Sequence, residues 1–170
     1  MVRRKKGRAG GGKDALDRAP KANGRGEAVD YGPLAEWVGF NLRMAQAAAF
    51  QAFSRLAQEV GTRPGRFATL MLIGRNPGIS QTALSRANGR DKSSLTPVLN
   101  DLERRGLVIR RRTRADQRAY RLSLTPAGRR LLAELTRCAR EHERNLDRII
   151  GAKEQKSFVR ILKRIVAQAE

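Results

Sequence analysis

Cysteine and histidine are almost missing from this sequence: Cys138 and His142 are the single examples among 170 residues. One cysteine closes no internal disulfide, which fits a reducing cytosol. One cysteine and one histidine fall short of the four nitrogen and sulfur ligands of the usual zinc site, so no metal and no cofactor are expected. Acidic residues are scarce as well, 16 against 36 Lys and Arg. None clusters beside the basic region as a two-metal nuclease would require, so no catalytic residue is assigned and the chain reads as a non-enzyme. No apolar run approaches the ~20 residues that cross a bilayer. The basic N-terminus has no apolar segment behind it, so it does not read as a secretory leader. The expected location is cytoplasmic, with no membrane partner.

What the sequence has in excess is positive charge. The net charge of +20 goes far beyond what solubility asks and points to a polyanionic partner, nucleic acid ahead of an anionic membrane. Residues 1–30 hold nine basic and four acidic side chains and six of the 16 glycines, and beyond Met1 their large apolar residues are Val2, Leu16 and Val29. A segment that buries so little cannot offset its ordering entropy, so a disordered basic tail is expected over 1–30. Such a tail either adds non-specific attraction to DNA or is simply solvated.

On this reading ordered structure begins near Pro33. Residues 34–59 place Leu34, Trp37, Val38, Leu42, Ala45, Ala49, Phe53 and Leu56 at steps that make one helix face, widened by Phe40, Met44 and Phe50. A shorter helix fits 64–74, with Phe67, Leu70, Met71 and Ile73 inward. Asn76-Pro77-Gly78 is a turn. Ser80 caps a short helix reaching Ala87, Asn88-Gly89 breaks it, and Asp91 caps another over 92–105 that stops at Gly106. Residues 107–112 and 120–124 read as strands around a polar loop, 113–119. Thr125-Pro126 opens a helix over 126–150 whose seam is Leu131, Leu135, Cys138, His142, Leu146 and Ile149. A last helix spans 153–167 and presents Phe158, Leu162, Ile165 and Val166. The fold class is mainly α with a small β-hairpin.

This order of elements is a winged helix-turn-helix, in which the second helix enters the major groove and its first residues reach base edges. Here those residues are Arg90, Lys92, Ser93, Ser94, Thr96 and Pro97, all small or donor-bearing; Leu95, Val98, Leu99 and Leu102 form the opposite, buried face. Pro97 removes one helical hydrogen bond and is expected to distort the helix locally. Residues 104–121 hold eight arginines against Asp116 alone. A hairpin that basic suits a wing lying over the phosphates with an arginine in the narrow minor groove. The alternative is a solvated, arginine-rich hairpin.

Three blocks then carry a family resemblance: Leu99-Asn100-Asp101-Leu102-Glu103-Arg104-Arg105-Gly106-Leu107-Val108 with Arg110, Asp116-Gln117-Arg118, and Leu124-Thr125-Pro126-Ala127-Gly128. In order and spacing they resemble the MarR-type transcriptional regulators, from about Leu34 to the C-terminus. The resemblance implies a homodimer with intertwined terminal helices and a winged helix-turn-helix on each subunit, flanked by dimerisation helices. The chain then divides into a tail (1–30), an N-terminal dimerisation helix (31–62), a DNA-binding domain (63–125) and C-terminal dimerisation helices (126–170). Its DNA partner would be a pseudo-palindromic operator. Asp116 would brace Arg118, and Arg114, Gln117 and Arg118 would form the wing tip.

The resemblance also implies a ligand pocket between the dimer helices and the DNA-binding lobe. Most members of the family respond to phenolic or aromatic acids, and some to their CoA thioesters. Trp37, Phe40, Met44, Phe67 and Met71 are the candidates to receive a flat ring. Arg43, Arg63 and Arg66 are the candidates to hold a carboxylate or the CoA phosphates. The same residues equally suit an ordinary core and a solvated rim. The expected function is a sequence-specific repressor released by a small aromatic acid or its acyl-CoA thioester. The alternative is an architectural nucleoid protein that coats DNA and senses no ligand.

Overall fold

The computed structural model describes residues 29–61, 64–112 and 120–168. The expected tail, apart from Val29 and Asp30, and the loop 113–119 lie outside the described residues. The chain divides into two units between Leu42 and Arg43, within helix α1 (Val38–Gln58).

In the first unit a 3-10 turn, Gly32–Glu36, precedes α1. The Leu34 N–H donates to the Tyr31 carbonyl and the Trp37 N–H to the Leu34 carbonyl, both at 3.1 Å. This spacing of three uses the carbonyls that an α-helix would pair one residue later. Trp37 is then extended (φ −79°, ψ 125°), so the α-helix starts at Val38 and not at Leu34 as its apolar pattern suggested. The Asn41 side-chain amide donates to the carbonyls of Ala35 and Trp37, at 2.8 and 3.0 Å, and secures this break.

The second unit carries a 3-10 turn, Pro64–Arg66, and then α2 (Phe67–Arg75), β1 (Ile79–Ser80), α3 (Gln81–Ala87), α4 (Lys92–Arg104), β2 (Val108–Arg112), β3 (Tyr120–Leu124), α5 (Pro126–Ile150) and α6 (Gln155–Gln168). The hairpin of β2 and β3 is joined by β1 into an antiparallel sheet of order β1-β3-β2. Ile79 lies opposite Leu122, and Val108 opposite Leu124. The third strand follows from the cap that the sequence already shows. Ser80 accepts the Ala83 N–H at 3.1 Å and caps α3, and a cap residue has extended backbone, here φ −76° and ψ 155°. That same extended pair can add to β3.

One core gathers Leu70 and Ile73 of α2, Leu84 of α3, Leu95, Leu99 and Leu102 of α4, Leu122 and Leu124 of β3 and Leu135 of α5. Among the described residues no helix is long and apolar enough to cross a membrane. Cys138, half-buried on α5, donates its thiol to the Leu56 carbonyl at 3.6 Å.

The join from α4 to β2 and α5 is tight. Gly106 has φ +65°, a conformation that costs glycine little. Its N–H donates to the Glu103 carbonyl at 2.8 Å, and the Leu107 N–H to the Leu102 carbonyl at 2.9 Å. This is a Schellman cap, with Leu107 and Leu102 both buried. The Leu107 carbonyl then accepts the Thr125 N–H at 3.0 Å. Gly128, in the first turn of α5, lies against the same carbonyl: a Cβ there would come within 2.0 Å of the Leu107 oxygen. Thr125 caps α5 by accepting the Gly128 N–H at 2.9 Å and donates its hydroxyl to the Gly106 carbonyl at 2.6 Å.

Gly128→Ala is expected to lower stability by about 2 kcal/mol, the scale of an overpacked core. An alanine at an unconstrained helix position would raise it by about 1 kcal/mol. The sign of the shift in a urea denaturation curve therefore tests the contact.

Candidate nucleic-acid interface

Helix α4 is oriented by its apolar face. Leu95, Leu99 and Leu102 are fully buried, at steps of four and three. Truncating one such leucine typically costs 2–5 kcal/mol, against about 1 kcal/mol for a cap. The leucines thus fix which face of α4 meets solvent, and the cap fixes where the helix begins. Lys92, Ser93, Ser94, Pro97, Asn100 and Arg104 lie on the exposed side. The helix runs through Pro97 without a break.

The turn before α4 is held from several sides. The Asn88 side chain donates to the Thr69 hydroxyl of α2 at 3.0 Å. The Arg90 N–H donates to the Ser85 carbonyl at 3.2 Å, and the Ser85 hydroxyl donates to the Arg90 carbonyl at 2.5 Å. Asp91 accepts the Ser94 N–H at 2.7 Å, the Ser93 hydroxyl at 2.5 Å and the Ser94 hydroxyl at 2.8 Å. These bonds, that of Ser93 foremost, hold its carboxyl well below the usual carboxylate range. The positive end of α4 is therefore occupied by its own carboxylate. Attraction for phosphate at this end falls to the exposed Arg90 and Lys92 beside it.

The hydroxyls proposed for base edges are already bonded within the chain. Ser93 and Ser94 donate to Asp91, and Thr96 donates to the Lys92 carbonyl at 2.7 Å while accepting from Gln81 of α3 at 2.9 Å. Gln81 escaped the sequence reading, because nothing in the sequence brings residues 81 and 96 together. Arg110 of β2 likewise reaches back to α4, donating to Asn100 at 2.7 Å and lying 3.4 Å from Glu103. Asp101 pairs with Arg66 and, at 2.6 Å, with Arg104. The Asp101–Arg104 pair was legible as an i, i+3 spacing on a helix; the partner from residue 66 was not.

From 64 to 112 the chain has ten basic and three acidic residues. All three acids are engaged: Asp91 as a cap, Asp101 and Glu103 in ion pairs. Among the described residues no ion pair involves Arg75, Arg86, Arg90, Lys92, Arg105, Arg111 or Arg112. At the foot of the hairpin the Arg112 guanidinium lies over the Tyr120 ring, 5.7 Å from its centre. Arg114, Asp116, Gln117 and Arg118 lie outside the described residues.

The effector candidates separate. Trp37 and Phe40 belong to the first unit, where Trp37 is exposed and Phe40 packs on Tyr31 with ring centres 5.5 Å apart. In the second unit Arg43 donates to the sulfur of Met44 at 3.5 Å, Met71 is half-buried on α2, and Arg63 is outside the described residues. Arg66 is drawn to Asp101 of α4. Phe67 lines an open groove of about 280 Å³ with Phe50, Phe53, Ala139, His142 and Glu143. His142, buried on α5, faces Phe53 with ring centres 5.7 Å apart.

The MarR family model matches residues 61–119. A Thauera aromatica transcriptional regulatory protein named for the hcr operon is 35% identical over 81% of this chain and 84% of its own length. The chain belongs to the MarR family. Among solved structures, the transcriptional repressor CouR bound to a 23-mer DNA duplex is 31% identical, with a TM-score of 0.76 over 82% of this chain and 99% of CouR. CouR bound to p-coumaroyl-CoA gives 30% and 0.75, over 83% and 99%. PcaV from Streptomyces coelicolor, solved with its natural ligand, is 29% identical with a TM-score of 0.74 over 85% of this chain and 99% of PcaV. As a MarR member the chain is a transcriptional regulator and not an enzyme. The motifs by which the sequence resembles MarR proteins have mechanical roles here: Gly106-Leu107 is the Schellman cap of α4, and Thr125 with Gly128 seats α5 on it.

Asp91→Ala is expected to lower the melting temperature by uncapping α4. The carboxyl is held below its ordinary value, so its contribution is fully present above the unfolded pKa of about 3.9 and fades as pH falls further. Melting curves should show a constant gap between wild type and variant from pH 5 to 8, narrowing only in stronger acid. A gap that closes near pH 6 would contradict this.

Proposed function

We propose that this MarR-family regulator is a homodimeric repressor that leaves its operator when a small aromatic acid, or its acyl-CoA thioester, binds. The observation that carries the reading is its likeness to CouR, whose structures hold a DNA duplex in one case and p-coumaroyl-CoA in another. In this reading Arg90 and Lys92 meet phosphates, and Ser93, Ser94, Thr96 and Pro97 approach base edges. Arg114, Gln117 and Arg118 form the wing tip, braced by Asp116. The tail over 1–30 adds non-specific attraction, and the protein acts in the cytoplasm on the nucleoid.

Dimerisation through α5, α6 and the N-terminal helix is supported by the apolar surface these elements expose. Ile149 is 80% exposed and Val166 76%, with Phe158 and Ile161 near 40%. Large apolar side chains exposed along helices in this number are the material of an interface. Two copies would present two recognition helices to half-sites about 10 bp apart. For the effector, Phe67 and its groove of Phe50, Phe53 and His142 suit a flat ring. Trp37 and Phe40 stand as apolar candidates of the first unit and Met44 and Met71 of the second, with Arg43, Arg63 and Arg66 as the candidates for the anionic group. Release from 99:1 to 1:99 occupancy needs a preference of about 10⁴, or ~5.5 kcal/mol, which two sites per dimer can share.

Sedimentation at micromolar concentration is expected to show a dimer and no folded monomer. Operator binding should weaken steeply with salt. Calorimetry and operator release with an aromatic acid, its thioester and free CoA should rank CoA last. If no compound binds below millimolar and random duplexes bind as well as the operator, an architectural protein is the better description.

A further inference from the structure

A groove of about 340 Å³ lies between the turn Pro64–Arg66 and α4, behind the base-edge candidates at the start of that helix. Its walls include Arg66, Arg90, Arg104, Asp101 and Pro97. Three guanidinium groups and one carboxylate thus line it. Asp101 is held between Arg66 and Arg104, the latter at 2.6 Å. The Arg104 side chain is 77% exposed and that of Arg66 only 14%, so Arg104 presents its donors to solvent while Arg66 contributes charge from behind. Arg90 takes part in no ion pair among the described residues. Its Nη2 lies 3.4 Å from where a Cβ of residue 65 would sit, so Gly65 leaves the guanidinium close room above the turn.

We propose that this groove seats a phosphate group, gripped by Arg90 and Arg104 with the charge of Arg66 behind them, and that Asp101 is a positioning residue for the grip. Arginine suits this work because its planar fork matches phosphate oxygens with two parallel donors. A carboxylate ion-paired with two arginines restricts both side chains before the anion arrives and lowers the entropy lost on binding. Two sources could supply the phosphate: the operator backbone flanking the base contacts, or a free phosphorylated molecule. The first rests on the DNA-binding reading above; the second does not.

The test compares wild type with Arg104→Gln and with the double variant Arg90→Gln/Arg104→Gln. Arg104 is exposed, so both should melt near the wild-type temperature. Affinity for operator and scrambled duplex is measured across salt, and inorganic pyrophosphate is titrated by calorimetry without DNA. If the backbone fills the groove, Arg104→Gln weakens both duplexes by about tenfold and reduces the slope of log K against log salt by about one. The ratio of operator to scrambled affinity stays as in wild type, as expected for a contact that reads no base. If a free molecule fills it, pyrophosphate binds wild type below millimolar and the double variant at least tenfold more weakly. Unchanged salt slopes together with pyrophosphate binding that is absent, or equal in wild type and variants, overturn the proposal. A wild type that binds no duplex refutes the DNA-binding reading, and the pyrophosphate titration then decides the groove alone.

Discussion

The carbonyl of Leu107 is the point on which this fold turns. Its residue closes α4 through the bond to Leu102, and the same residue's oxygen accepts the Thr125 N–H where β3 passes into α5. Gly128 lets the first turn of α5 come against that oxygen. Helix α4, the hairpin and α5 thereby share one hydrogen-bonded corner. Interiors are close-packed, so a shift of α5 is passed to α4 and the hairpin rather than absorbed between them.

Charge is arranged in the DNA-binding lobe by engaging its acids. Asp91 faces its own helix, Asp101 is shared by two arginines and Glu103 meets Arg110. Each carboxylate that would repel a phosphate is turned to a structural bond. The basic side chains outnumber them and remain spread over the turn, α4 and the strands. Isolated pairs on a surface contribute little to stability. Their consequence is placement: they hold Arg66, Arg104 and Arg110 while leaving Arg90 and Lys92 beside the start of α4.

The two ends of α4 differ in kind. At its start, hydroxyls of Ser93 and Ser94 are bonded to the cap, and that of Thr96 to Lys92 and Gln81. These bonds keep the side chains in defined rotamers, and a hydroxyl that donates inward still offers its acceptor side outward. At its end, Asn100, Asp101 and Glu103 tie α4 to β2 and to the turn before α2. The end of α4 is thus tied to its neighbours, and the start to its own cap.

Much of this was legible without coordinates. Apolar steps of three and four located the helices, because a stripe at that spacing buries only if the backbone is helical. Ser80, Asp91 and Thr125 were readable as caps, since each bond closes within three residues. Gly106 was readable as a stop, and the MarR motifs as a winged lobe. What tertiary structure decided involves partners far apart in sequence: the pairing of β1 with β3, the meeting of Gln81 with Thr96, the reach of Arg66 to Asp101, and the fit of Gly128 to Leu107. The late start of α1 also escaped the sequence pattern, because a 3-10 turn keeps apolar residues at spacings that an α-helix would use as well. Local bonds are specified by the few residues that make them. Long-range ones exist only once the whole core has brought their ends together.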